Sequence, residues 1–295
     1  MRFIKSFIKK LYLNRIEPRL FAQPVIVRTM NRALYCTEQG VSDYTPNETN
    51  IIVSLTTYQK RIFDVCLVIE SLMEQTLKPN KIVLWLSKDE FNDDNIPLVL
   101  KKQRERGLEI GYCQDVRSYT KLIPALQKYP NDLIITVDDD GIYPYDLVEN
   151  LYNSYKLDKN CVHFCRGYRM QFNRKGCLRT YKKWPTNPPE CERSFLAFPL
   201  GSGGVLYPPH CFHTDILREE LFLQLSPTAD DVWFKAMTLL NDVPCKKIAY
   251  DVRLVGLFNN QDIALETQNV HNRKNDVQIK QVFDYYSLWD KLRKE

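Results

Sequence analysis

Leu133-Ile134-Ile135-Thr136-Val137-Asp138-Asp139-Asp140-Gly141-Ile142-Tyr143-Pro144 decides how the rest of the chain is read. Its first five residues are aliphatic or β-branched without a break, the pattern of a strand buried on both faces. Three carboxylates follow directly, and a Gly and a Pro mark the chain's turn away. In sheets of parallel strands, ligands bind beyond the carboxyl ends of the strands. Extended geometry puts Asp138 and Asp140 on one side. Two neighbouring carboxylates repel unless a cation lies between them. Mg2+ or Mn2+ suits such oxygen donors, with substrate phosphates completing the shell. From these residues alone, an acidic turn closing a strand fits as well.

The segments on either side repeat the strand pattern. Ile51–Leu55, Lys81–Leu86, Leu108–Tyr112 and Cys161–Cys165 are short and apolar. Between them, 62–76, 93–106, 119–129 and 146–157 carry apolar residues at helical spacing. Strand and helix alternate about five times, which predicts an α/β fold: a Rossmann-like, mostly parallel sheet with helices on both faces. Residues 166–295 are less regular, broken by Pro185, Pro188, Pro189, Pro199, Pro208 and Pro209. The expected organisation is a basic N-terminal segment 1–48, a catalytic domain 49–260, and an extension 261–295 packing on it.

Three further stretches carry chemistry-bearing residues. Arg117-Ser118-Tyr119-Thr120-Lys121 precedes the acidic strand and opens a helical pattern. There Arg117 and Lys121 suit a phosphate, or simply a solvated helix start. Leu200-Gly201-Ser202-Gly203-Gly204 has three glycines in four residues, letting backbone approach a ligand closely, or making a plain turn. Asp230 and Asp231 begin another helical run, where capping alone would explain them.

Together these stretches resemble the nucleotide-diphosphosugar glycosyltransferases of A-type fold, in particular the family-2-like enzymes that build bacterial surface polysaccharides. The resemblance covers roughly residues 49–260. Asp138-Asp139-Asp140 matches the family's Asp-x-Asp motif, which holds the metal and the donor diphosphate. Val53–Arg61 is similar to its first strand and nucleotide-contacting loop. The resemblance implies donor contacts from Thr56, Tyr58, Arg61, Arg117, Lys121, Asp139, Gly203 and Gly204, and metal ligation by Asp138 and Asp140, with His271 closing the site. It implies that Asp231, or else Asp230, is the general base of an inverting transfer. An Asp that commonly holds uracil is absent, and Leu86-Ser87-Lys88 stands in its place. A sugar nucleotidyltransferase would open with a Gly-rich loop after its first strand, yet Leu55–Arg61 contains no glycine. A catalytically inactive module binding glycans or membranes has no use for paired carboxylates and a base. The implied partners are a nucleotide-sugar donor and a glycan or lipid-linked acceptor.

Charge and cysteine usage bound the setting. The net charge is +5, and residues 1–35 alone carry eight Lys and Arg against Glu17. No basic stripe across the domain is legible, which argues against nucleic acid. Phe3, Ile4, Phe7, Ile8, Leu11 and Tyr12 form one apolar stripe beside Lys5, Lys9 and Lys10. The pattern suits a helix lying on a membrane or one packed on protein. No run is long enough to span a bilayer, and the N-terminus lacks a signal-peptide core. Nine cysteines, several within apolar runs, point to a reducing compartment, hence a cytoplasmic protein, peripheral on the inner face of a membrane if the stripe meets lipid. Cys161, His163 and Cys165 alternate along one strand and raise the question of zinc.

Overall fold

The computed structural model describes residues 17–44, 49–189, 191–257 and 274–293. The central sheet takes its first four strands from β1 (Ile51–Thr56), β2 (Lys81–Ser87), β3 (Leu108–Cys113) and β4 (Leu133–Thr136). They lie in the order β3-β2-β1-β4, all parallel. The period of two along each strand divides the core cleanly. Ile51, Val53, Leu55, Leu133 and Ile135 face one side, and Ile52 and Ile134 face the other.

Helices cover both faces. α2 (Val65–Met73), α3 (Leu98–Arg104) and, after the two-residue strand β5 (Gly141–Ile142), α5 (Leu147–Leu157) share the core of Ile51 and Val53. α4 (Ile123–Lys128) lies on the other side, together with α7 (Asp230–Leu240) and α8 (Lys274–Tyr285). Within that second core Ile279, Val282 and Phe283 of α8 are buried. α1 (Glu17–Tyr35) is tied to α2 by ion pairs from Arg28 and Arg32 to Glu74. α9 (Trp289–Arg293) closes the described chain.

Beyond β4 the sheet is mixed. β6 (Val162–Phe164) and β11 (Cys245–Lys247) are parallel partners, and β8 (Arg193–Ser194) flanks β11 antiparallel. β10 (Val205–Tyr207) enters between β4 and β6 antiparallel to both. It leaves the glycine turn at the edge where β4 ends, with Val205 opposite Thr136, so it can only run back. A small second sheet pairs β7 (Gly167–Arg169) with β9 (Ala197–Pro199), and a third pairs β5 with β12 (Val255–Gly256).

Three helices are shorter than the periodicity predicts. The one expected over 62–76 is reduced to Val65–Met73. The helix expected over 93–106 starts only after Pro97, because Asn92 and Asn95 fold the preceding residues into side-chain-to-backbone turns. The one expected over 119–129 becomes a 3-10 turn, Arg117–Lys121, followed by α4.

Candidate active site

The carboxyl ends of β1 and β4 converge with the start of α7, and each acid of the triplet has its own environment there. Asp139 points into protein. Its Oδ2 accepts from Thr57 Oγ1 at 2.6 Å, its Oδ1 from Arg61 Nη1 at 2.5 Å, and its side chain is only 7% exposed. Asp138 and Asp140 are on the open edge, with side chains 31% and 49% exposed. This is the alternation expected of extended chain. Burial raises the Asp139 carboxyl, with Arg61 and Thr57 opposing. Burial and then the charge of Asp138 push Asp140 up to about 6.

Lys121 joins the two halves of the site. Its buried Nζ lies 2.8 Å from Asp138 Oδ1 and 3.0 Å from Asp230 Oδ2. Burial alone would depress this ammonium, but the charges of Asp138, Asp230 and Asp231 raise it well above its usual value. The position is enforced from several sides. Ser54 Oγ donates to the Lys121 carbonyl at 2.6 Å and accepts from Trp85 Nε1 at 2.9 Å. Tyr119 Oη donates to the Ser226 carbonyl at 2.6 Å, and Arg117 Nη1 to the Pro227 carbonyl at 3.0 Å. Both bonds fasten the 117–121 turn to the loop that leads into α7.

Asp231 completes the cluster. Its Oδ1 accepts from the Gly201 backbone N–H at 3.1 Å. Neither Asp230 nor Asp231 caps its own helix, since Ala229 holds the capping position. Burial, then the charge of Asp230, raises the Asp231 carboxyl, with Lys121 opposing. Gly201 is required by contact: a Cβ there would stand 2.4 Å from Lys121 Nζ and 3.4 Å from Asp231 Oδ1. Gly204 follows a 3-10 turn at φ +91, a conformation that L side chains rarely adopt. Tyr143 links this turn to the triplet, its Oη accepting from the Asp138 N–H at 2.9 Å and donating to the Ser202 carbonyl at 3.1 Å.

The structure brings together Asp138, Asp140, Lys121, Asp230, Asp231 and the 201–204 turn. The other residues expected to contact a donor have partners within the protein. Arg61 is committed to Asp139 and approaches Asp140 at 3.4 Å, because the carboxylate facing protein needs a buried counter-charge. Asp139 clamps the 57–61 loop rather than facing the open edge. Thr56 Oγ1 donates to the Trp85 carbonyl at 3.0 Å. Tyr58 lies with its ring 5.4 Å from the Arg61 guanidinium carbon. Arg117 is exposed, in the left-handed region at φ 61, and turned toward Pro227 rather than toward the triplet. A Cβ on Gly203 would collide with Arg166, so Gly203 serves packing. His271 and residues 1–16 lie outside the described residues.

Sequence reasoning missed Ser54, Thr57, Tyr119 and Tyr143 as positioning residues. Only Ser54 left a signal, as a lone polar side chain inside an apolar strand. All nine cysteines are free. Cys161 and His163 approach at 3.3 Å, but His163 Nε2 is taken by the Asp158 carbonyl at 2.8 Å. Among the described residues no three His, Cys, Asp or Glu side chains form a ready metal cluster. Asp138 and Asp140 nonetheless fit Mg2+ or Mn2+. Such ions take one or two carboxylates together with substrate phosphates and water, not a full protein cage. The charge count also fits, since Asp138, Asp230 and Asp231 share a single ammonium. Among the described residues no helix is long and apolar enough to cross a membrane.

No family model matches this chain, and no curated protein does. Among solved structures it is similar to TarS 1–349 of S. aureus, at 16% identity and TM-score 0.44, over 68% of this chain and 57% of that one. It is similar to GalNAc-T7 with UDP, GalNAc and Mn2+, at 12% identity and TM-score 0.47, over 82% of this chain and 48% of that one. It is similar to the mannosyltransferase PcManGT from Pyrobaculum calidifontis in complex with GDP-Man and Mn2+, at 16% identity and TM-score 0.33, over 54% and 45%. The chain thus spans about half the length of the structures it matches.

Proposed function

We propose that this chain is a metal-dependent glycosyltransferase, moving a sugar from a nucleotide-diphosphate donor to a hydroxyl of a glycan or lipid-linked acceptor with inversion. The observation that carries this reading is the Lys121 bridge between Asp138 and Asp230. It joins an open pair of carboxylates suited to a metal and diphosphate with a second acidic pair suited to a base, in one site. Asp138 and Asp140 would hold Mn2+ or Mg2+, which supplies neutralisation of charge on the departing diphosphate. Lys121 keeps the two acidic pairs from repelling each other and adds its own charge on the leaving-group side. Asp231, held by the Gly201 N–H and raised by burial, takes the acceptor proton, and Asp230 stays paired with Lys121. Thr56 and Tyr58 border the loop nearest the donor base.

Surface-polysaccharide synthesis on the inner face of a membrane is the setting that fits a basic, apolar-striped N-terminus. Residues 49–260 are the catalytic unit in this reading, with 261–295 packed on it. The experiment is donor hydrolysis across a panel of nucleotide sugars, with Mn2+, with Mg2+ and with EDTA. The reading expects one donor to be cleaved to nucleoside diphosphate only with metal present. Release of diphosphate (PPi) from a nucleoside triphosphate and a sugar phosphate would favour nucleotidyl transfer instead.

A further inference from the structure

Residues 166–189 contain seven Lys and Arg and not one Asp or Glu. The fold places most of this charge on one exposed hairpin and the 3-10 turn that follows it. β7 runs out from the sheet edge, and a hairpin follows in which Phe172 bridges Leu178 and Gly176 turns at φ +73. Arg174 and Lys175 stand at its tip, Arg179 at its base, and Lys182 and Lys183 on the 3-10 turn Tyr181–Lys183. All five are exposed, and among the described residues none makes an ion pair with a carboxylate. The Arg179 guanidinium donates to the Gln171 amide oxygen, at 2.9 Å. Beneath them Tyr181 and Trp184 are buried against Phe198, at ring distances of 5.9 and 5.5 Å. The hairpin is therefore anchored to β9, the strand that leads into the 201–204 turn.

The direction of the patch matters. Tyr181 packs on Phe198, three residues before Gly201, whose N–H donates to Asp231, so the turn bearing Lys182 and Lys183 stands over the strand that leads to the acidic pair. Arg166, at the root of the hairpin, packs against Gly203, and its buried Nε has no hydrogen-bond partner among the described residues. Cations without a carboxylate partner among the described residues thus extend from the hairpin tip to Arg166, beside the 201–204 turn of the site. Crowded like charges repel, and an anion laid along them relieves that cost. None of the exposed large hydrophobic side chains falls within 166–189, so nothing on the hairpin is suited to enter a bilayer. Exposed aromatic rings for stacking on bases are also missing from it.

We propose that this hairpin is the binding surface for an acceptor that carries phosphate groups, guiding its hydroxyl toward Asp231. The proposal rests on the transferase reading above, and the test separates the two. Full-length protein and the variant R174E/K175E/K182E/K183E are compared for binding to a phosphorylated mannan and to the same mannan after dephosphorylation. Donor hydrolysis without acceptor is read in parallel. Wild type should bind the phosphorylated form selectively and in a salt-sensitive way. The variant should lose about tenfold or more of that binding, as four exposed ionic contacts would together account for. Its melting temperature and donor hydrolysis should stay unchanged, and the milder K182Q/K183Q should fall between. Equal binding of the two mannans, or undiminished binding by the variant, overturns the proposal. So does retention of wild type by phosphatidylglycerol vesicles or duplex DNA, lost in the variant, when the phosphorylated mannan is not retained. Selective mannan binding with no donor hydrolysis in either protein would instead count against the transferase reading alone.

Discussion

Lys121 Nζ lies 3.0 Å from Asp230 Oδ2, an ion pair between a 3-10 turn and a helix start that are far apart in the chain. Lys121→Met keeps much of the side-chain volume and removes the charge. Asp138, Asp230 and Asp231 are then left without their shared cation. Breaking a buried pair in this way should cost about 3 kcal/mol or more at neutral pH. The loss should shrink as pH falls, because Asp231, raised by burial and by the charge of Asp230, binds its proton more tightly folded than unfolded, so acid favours the folded state. Denaturant unfolding at pH 7.5 and pH 5 measures both. A loss under about 1 kcal/mol at pH 7.5, or one that grows on acidification, would remove Lys121 from its central place.

The members of the triplet should separate by role. Asp138→Ala and Asp140→Ala open no gap in the core, since both face the open edge, and should abolish metal-dependent turnover with little change in melting temperature. Asp139→Ala strips Thr57 of its partner and leaves the buried Arg61 guanidinium only its longer contact to Asp140, so it should destabilise the fold. Calorimetric Mn2+ titration alongside thermal unfolding distinguishes them. Undiminished turnover of Asp138→Ala, or of wild type in excess EDTA, would end the metal assignment.

Asp231→Asn keeps the shape of the side chain that accepts from Gly201 and removes the proton acceptor. Transfer should fall about 10²-fold or more, the effect expected of a lost general base, with donor affinity nearly unchanged. Asp230→Asn should instead loosen Lys121 and lower stability as well as rate. If Asp230→Asn loses transfer without loss of stability while Asp231→Asn keeps it, the two roles are exchanged.

These roles were only partly written in the sequence. The strand interiors were legible because burial on both faces leaves uninterrupted runs such as Ile51–Val53 and Leu133–Ile135. The acids at the end of β4 could be located because the strand before them was. The antiparallel entry of β10 was not legible, since three residues after a glycine turn carry no mark of direction. Nor was the fate of Arg61, Lys121 and Arg117. A cation in a loop carries no mark of the carboxylate or carbonyl that it will meet in the fold. The cationic run 166–189 is legible as composition, but that its charged side chains stand exposed around a buried Tyr181 and Trp184 is not.

His163, fully buried in β6, gives a prediction about pH and stability. Its Nε2 donates to the Asp158 carbonyl and its Nδ1 accepts from Ser154 Oγ at 2.8 Å, so the neutral ring is fully satisfied. Burial lowers its pKa from 6.5 to about 4. The unfolded chain then binds a proton below 6.5 that the folded chain refuses until about 4. Stability is complete above that window and falls as pH drops through it, by about 3 kcal/mol in all. His163→Gln should be less stable at pH 7 but should show a flatter slope between pH 6.5 and 4. Parallel slopes in the two proteins would mean that His163 takes its proton while folded.

The N-terminal segment can be tested on vesicles without knowing any substrate. Phe3, Ile4, Phe7, Ile8, Leu11 and Tyr12 recur at helical spacing beside Lys5, Lys9 and Lys10. Just after them, on α1, Leu20, Phe21 and Val27 are exposed, and Leu20 and Val27 are seven residues apart and share a face. Protein that buried the segment in its own core would have little reason to leave that face bare. An interfacial helix places apolar side chains among acyl chains and cations against anionic headgroups, each cation contributing about 1 kcal/mol. Full-length protein should therefore sediment with phosphatidylglycerol vesicles, less with phosphatidylcholine, and less again in high salt. A chain lacking residues 1–20 should stay in the supernatant while keeping its donor hydrolysis. Sedimentation of both proteins alike, or indifference to headgroup charge, would assign the stripe to packing against protein.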